Sequence, residues 1–122
     1  MALPPISTEQ VDLVLQHAPR VAALAQATGA VTGHPDVGNM LLTMDETEFT
    51  APFDWLAEFQ DRPELLQDPA IVDTADLETL RKIMTAHIRI DRQSGYHLDQ
   101  LIASGYWQRC LNRLAQLRTT MA

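Results

Sequence analysis

His87 and Asp91 are the two side chains whose types and spacing suggest chemistry. Four residues apart on a helix, they lie on one face and can meet. A carboxylate that accepts a hydrogen bond from an imidazole can orient it for acid–base chemistry or metal binding. The same pair also forms in protein cores, where each group offsets the other's desolvation. We expect a structural pair covered by Trp107 or Leu111, because no nucleophile or second metal ligand has a recognisable spacing.

The other histidines and the single cysteine do not extend this pair into a larger set. No C-x-x-C or H-x-x-x-H spacing occurs, so we expect no catalytic residue, no metal site and no cofactor. Cys110 occupies an apolar position of a predicted helix, and we interpret it as a core residue. One cysteine and no apolar run of membrane-spanning length favour a cytoplasmic protein without membrane contact.

Four basic residues form a second candidate site, for an anion. They are predicted to share the polar side of the helix that carries His87, opposite its apolar side. A solvated helix face is the simpler interpretation, and a site for phosphate or an acidic partner is the functional one. The four residues are Arg81, Lys82, Arg89 and Arg92.

Acidic residues are densest in the middle of the chain and form the third candidate, a partner-binding face. Their irregular spacing does not match a calcium-binding loop, so a solvated surface is the alternative. The candidate residues are Asp45, Glu46, Glu48, Asp54, Glu58, Asp61 and Glu64.

The net charge of -7 is unevenly distributed along the chain. Residues 1–76 contain thirteen acidic and two basic residues, a balance of -11, whereas residues 77–122 contain three acidic and seven basic residues, a balance of +4. The overall acidity argues against broad nucleic-acid binding, because phosphate contacts supply most of that affinity. An acidic surface of this density instead suits a positively charged partner.

The helix predicted at 77–93 organises the fold. Its apolar residues recur every three or four positions, Asp76 can cap its start, and Gly95 can end it. The same signals predict helices at 7–28 (capped by Ser7 with Gln10, and kinked or restarted at Pro19), 51–59, 61–67, 96–103 and 106–118.

These segments predict a mainly α protein, a compact single-domain bundle of five or six helices over residues 1–122. We expect the helix at 77–93 to lie centrally against the last helix. Residues 1–6 are predicted to be a flexible tail, and residues 30–39 a loop. The apolar run Met40–Met44 followed by Glu48–Thr50 is also compatible with one very short β-hairpin.

The C-terminal part resembles a bacterial family of small uncharacterised proteins. That family's signature is T-x-H-[VI]-R-x-D-R-F-x-x-G-H-L, followed by G and I-L-x-R-L. The matching positions here are Thr85, His87, Arg89, Asp91, Arg92, His97, Leu98, Gly105, Leu111, Arg113 and Leu114. Phe53-Asp54-Trp55 is similar to the family's F-D-W element. Gln93 replaces the aromatic residue, and Tyr96 separates the glycine from His97. The resemblance implies a shared fold and no established activity.

Size, acidity and the lack of a catalytic set favour a non-enzymatic protein-binding module with a protein partner. A narrower hypothesis is a phage or mobile-element regulator that inhibits a host nucleic-acid-handling defence complex, as anti-CRISPR proteins do. Two alternatives stay open. One is a nucleic-acid-binding protein that uses the basic face of the 77–93 helix, and the other is a small hydrolase or metal-dependent enzyme around His87, Asp91 and His97. The oligomeric state is left open.

Overall fold

The structure, a computed structural model, describes residues 3–26 and 33–121, and within those ranges it is mainly helical with no strand. The helices are α1 (Thr8–Leu15), α2 (Ala18–Ala23) continuing as a 3-10 turn (Leu24–Gln26), α3 (Pro35–Glu46), α4 (Trp55–Gln60), α5 (Glu64–Gln67), α6 (Pro69–Val72), α7 (Leu77–Ser94), α8 (His97–Ala103) and α9 (Tyr106–Thr120). No helix in these ranges is long and apolar enough to cross a membrane.

The central helix, α7, is bounded as its sequence predicts. The Asp76 carboxylate accepts a hydrogen bond from the Thr79 amide at 2.7 Å, which satisfies a free N–H of the first turn. Gly95 follows the last residue with φ 66°, a left-handed conformation that glycine adopts without strain. The expectation that this helix is central is confirmed, because α7 packs against α8 and α9 as well as against α5.

Two apolar clusters surround α7. In the main core, the fully buried Trp107 of α9 packs with Leu80 and Met84 of α7, and its indole N–H lies 3.5 Å from the Met40 sulfur. On another side, Ile83 and its neighbours pack against residues of α4 and α5. The buried members of this smaller cluster are Phe59, Leu65, Ile83 and Ala86.

The N-terminal predictions are confirmed in part. Ser7 and Gln10 form the capping box of α1, and the chain restarts as α2 with Pro19 in its first turn. Residues 3–6, however, are not a free tail, because Leu3 is buried and its amide donates to the Glu78 carboxylate at 3.1 Å. The predicted helical stretch at 20–28 becomes a 3-10 turn after Ala23, and its last two residues lie outside the described ranges.

The β-hairpin prediction is wrong, because residues 35–46 form α3. Val37, Met40 and Met44 are fully buried, and their spacing of three and four residues matches a helix. The His34 side chain caps α3 at the Asp36 amide. The predicted loop at 30–39 is therefore also wrong over Pro35–Asn39, and its residues 30–32 lie outside the described ranges.

Three short helices, α4, α5 and α6, lie between α3 and α7, where the sequence predicted two, at 51–59 and 61–67. The helix expected at 51–59 begins only at Trp55, because Asp54 caps it through the Ala57 amide at 3.2 Å. Pro69 then begins a separate turn of helix, α6, directly after α5, with Asp68 as the residue between them. Prolines and short-range caps thus divide this region into single turns.

Candidate functional site

An open apolar groove lies between α4 and α5. Its volume is about 390 Å³. On one side of α4, Phe59 is buried and packs edge-on against Phe53 at 5.9 Å between ring centroids. Leu56, one turn earlier on the same side of α4, is 64% exposed, so α4 carries more apolar surface than the fold covers. The groove is lined by Trp55, Leu56, Phe59, Gln60, Pro63, Leu66 and Gln67.

One ion pair attaches α4 to the central helix. Lys82 is nearly buried, and its ammonium pairs with the Glu58 carboxylate. The same ammonium lies 5.8 Å from the centroid of the Phe53 ring, a favourable cation–π geometry. The groove therefore has a fixed wall, and Lys82 is not available to bind an external anion.

The acidic candidates fall into two groups along the chain. Asp45, Glu46 and Glu48 lie at the end of α3 and in the turn after it, whereas the other four immediately flank the groove-lining residues. Of these four, Asp54 caps α4, Glu58 pairs with Lys82, and Glu64 pairs at 3.4 Å with Arg62 on the surface. Asp61 is exposed, and its side chain has no hydrogen bond or ion pair with another described residue.

The four basic candidates do not form one exposed face. The prediction is wrong for Arg81 and Lys82, which are engaged within the fold. Arg81 is only 4% exposed and donates to three backbone carbonyls, those of Pro4 at 2.7 Å, Glu48 at 2.5 Å and Phe49 at 3.0 Å. Burial lowers the pKa of Arg81 from its usual high value. Its role is structural.

Arg89 and Arg92 are the two basic candidates that remain available. Arg92 is exposed and Arg89 is half-buried. Neither guanidinium forms an ion pair or hydrogen bond with any residue in the ranges 3–26 and 33–121. Only the C-terminal half of the predicted anion site therefore lies on the surface.

The predicted His87–Asp91 pair is wrong. His87, 2% exposed, has its Nδ1 atom 2.9 Å from Nε2 of His97 and its Nε2 atom 3.1 Å from the hydroxyl of Tyr106. Asp91 instead accepts a hydrogen bond from the Leu98 amide at 2.9 Å. A free amide at the start of α8 is a good partner for a carboxylate, which leaves the imidazole to the polar side chains of α8 and α9.

Within this network His87 and Tyr106 are uncharged near neutral pH. Burial, followed by the charge of His97, lowers the pKa of His87 to about 4. Burial also raises the pKa of the Tyr106 phenol above its ordinary value and that of the Cys110 thiol to about 12. A neutral imidazole has one donor and one acceptor nitrogen, so His87 can bridge the Tyr106 hydroxyl and the His97 ring. The network links α7, α8 and α9 and supplies neither a thiolate nor a charged base.

Asp91→Ala is expected to lower the free energy of unfolding by about 1 kcal/mol, because the amide that begins α8 loses its acceptor. Asp91→Asn retains an oxygen at this position and should lose less. Urea unfolding of both variants measures the difference. An alanine variant as stable as the wild type would contradict the capping role.

Sequence reasoning missed two aromatic residues. Tyr106 completes the histidine network, and its position nineteen residues after His87 gave no local signal. Tyr96 is 68% exposed with φ 57°, a conformation that is rare for residues other than glycine. One signal pointed to Tyr96: it separates Gly95 from His97, whereas in the resembling family the glycine directly precedes the histidine.

Comparison with known proteins places the chain in a family. A family model described as a family of unknown function (DUF6508) matches residues 6–120. The chain belongs to the DUF6508 family. No curated protein and no solved structure matches it. The DUF6508 match includes the groove, the histidine network and the resembling C-terminal segment, so all three are parts of the family domain. The sequence signature and the bacterial origin stay predictions.

Proposed function

We propose that this DUF6508 protein is a protein-binding module whose groove receives a segment with an apolar side chain between basic ones. The observation that carries the proposal is the groove itself. Leu56 is apolar and exposed and lies beside Trp55 and Leu66, so a partner that covers it lowers the free energy of the complex.

The charges beside the groove specify the partner. Asp54, Asp61 and Glu64 are exposed and flank the lining residues, and they outnumber the one exposed cation among them, Arg62, which pairs with Glu64. An acidic partner would therefore be repelled and a basic one attracted. Apolar anchoring with complementary charge at the rim is typical of grooves that bind amphipathic helices. The narrower hypothesis, a phage or mobile-element inhibitor of a host nucleic-acid-handling complex, has such a partner, because those complexes present basic surfaces. Its further support is small size and acidity.

The two alternative functions have less support. Nucleic-acid binding through the face of α7 would retain Arg89 and Arg92 but not Arg81 and Lys82, which are engaged within the fold. A hydrolase centred on His87 would use an imidazole whose two nitrogens are engaged by His97 and Tyr106.

The test selects helical peptides of about 12 residues, long enough to span the groove, from a displayed library against the purified protein. We expect the selected peptides to share an apolar anchor flanked by lysine or arginine. Their affinity, measured by fluorescence anisotropy, should fall about tenfold or more in Leu56→Glu, because the carboxylate would be desolvated in the complex.

Leu42→Glu is the matched control. Leu42 is 55% exposed on α3, outside the groove, so the same substitution there should leave peptide affinity unchanged. Equal loss in both variants, or selected peptides without a common pattern, would contradict the proposal. Tight binding of a labelled RNA or duplex DNA that Arg92→Glu abolishes would favour the nucleic-acid alternative instead.

A further inference from the structure

Tyr96 is an exposed aromatic residue held in a strained conformation. Gly95 and Tyr96 both have positive φ, 66° and 57°, which turns the chain sharply between α7 and α8. A tyrosine in this conformation is less favourable than a glycine would be. Its ring is 68% exposed and makes no hydrogen bond or ring contact with any residue that the structure describes. Packing among the described residues therefore leaves this aromatic side chain unused.

The two cations that precede Tyr96 most closely along the chain also have no partner among the described residues. Arg89 and Arg92 are three residues apart, so they lie on neighbouring positions of the last turns of α7. In the described part of the chain, Arg20 on α2 is the other cation without a partner. We name Arg89, Arg92 and Tyr96 the basic tip. It is an apolar ring with two guanidinium groups, which is the chemistry that the groove was proposed to bind.

We infer that the basic tip of a second copy of this chain occupies the groove, in a two-fold symmetric dimer. This inference rests on the proposed function and names its partner. The two surfaces are complementary. The groove is apolar with Asp54, Asp61 and Glu64 beside it, and the tip has an aromatic ring with two cations that have no partner in the ranges 3–26 and 33–121. The groove lies within residues 1–76, whose charge balance is -11, and the basic tip lies within residues 77–122, whose charge balance is +4.

The position of both surfaces along α7 permits a reciprocal arrangement. Ile83 and Ala86 of α7 belong to the cluster that supports the groove, and the basic tip ends the same helix. The helix rises about 12 Å from Ala86 to its last residue, Ser94, and Tyr96 follows two residues later. Two copies related by a two-fold axis, with their α7 helices antiparallel, would each insert a tip into the other's groove.

Tyr96→Gly is the first test, because it removes the ring and relieves the strain at one position. Sedimentation equilibrium should give the wild type, at about 100 µM, a mass approaching twice the chain mass of 13.6 kDa. Tyr96→Gly should fold at least as stably and sediment as a monomer. A wild type that is monomeric at this concentration, or one that forms open-ended oligomers, would overturn the inference.

Charge reversal tests which surfaces meet. Arg89→Glu with Arg92→Glu makes one variant, and Asp61→Lys with Glu64→Lys makes the other. Each alone should be monomeric, because like charges then face each other at both contacts. Mixed in equal amounts they should dimerise, because the two-fold arrangement pairs opposite charges at both contacts. Failure of the mixture to dimerise would overturn the inference.

Arg20→Glu is the matched control, since it makes the same change on an unpartnered arginine outside the tip and should leave dimerisation unchanged. The peptide experiment separates this inference from the proposed function. A monomeric protein that still binds basic amphipathic peptides through Leu56 refutes the dimer alone. A protein that neither dimerises nor binds these peptides refutes the groove as a binding site.

Discussion

Replacing Arg81 with methionine is expected to lower the free energy of unfolding by about 3–5 kcal/mol. The arginine joins three parts of the fold that are distant in sequence, the N-terminal segment at Pro4, the turn at Glu48–Phe49 and α7. Methionine fills much of the same volume but donates no hydrogen bond, so three carbonyls lose their partner and the cation over the Phe49 ring is lost. A domain of this size has roughly 5–15 kcal/mol of stability in total.

Denaturant unfolding measures the loss, and two further variants make the result interpretable. Arg81→Lys keeps the charge but replaces five donors in a fixed plane with one ammonium, so its loss should lie between those of methionine and wild type. Arg92→Met removes an arginine that is exposed on the same helix, and should change stability by less than about 0.5 kcal/mol. Equal effects at positions 81 and 92 would show that the carbonyl contacts contribute nothing.

Arg81 also shows why the sequence misassigned part of the basic face. A helical projection divides residues into an apolar side and a polar side, and it treats water as the partner of every charged residue. Residues 80–81 and 83–88 are all buried, because neighbouring segments cover α7 on several sides. The irregular segments at 3–6 and 47–50 offer carbonyls to a buried guanidinium, and no local pattern in α7 predicts them.

Local signals predicted the rest of the C-terminal half well. Caps such as Asp76 and stops such as Gly95 act through adjacent backbone groups, so sequence alone contains the information, and α7, α8 and α9 lie within about two residues of their predicted bounds. The region of α3 failed because Met40–Met44 is a short apolar run. Such a run is compatible with either a strand or a helix. The spacing of three and four residues that indicates a helix is visible only when Val37 is considered together with Met40 and Met44.

The candidate sites show the same limit. Trp55 and the acidic residues of 54–64 could be identified from the sequence as a potential binding surface. The exposure of Leu56 could not, because it depends on how α4 lies against α5 and α7. His87 was paired with the nearest carboxylate in helical spacing, whereas its real partners are ten and nineteen residues away. Side-chain partners across helices depend on packing that a single sequence does not display.

The free energy of unfolding is expected to fall by about 2.5 kcal/mol between about pH 7 and about pH 4.5, through His87 alone. Burial, followed by the charge of His97, lowers the pKa of His87 in the folded protein from 6.5 to about 4. Above pH 6.5 the imidazole is neutral in both states and contributes no pH dependence. Between these two values the unfolded chain binds the proton and the folded protein does not, so acid favours unfolding.

The structure explains why the folded protein resists this proton. The neutral ring of His87 can donate to one of its two neighbours, His97 and Tyr106, and accept from the other, whereas a charged ring at 2% exposure would be desolvated among apolar neighbours. His87→Gln keeps a polar group that does not titrate, and it should remove most of the difference in unfolding free energy between the two pH values. Urea unfolding at both pH values tests this, and an unchanged pH dependence in His87→Gln would mean that His87 is protonated equally in both states.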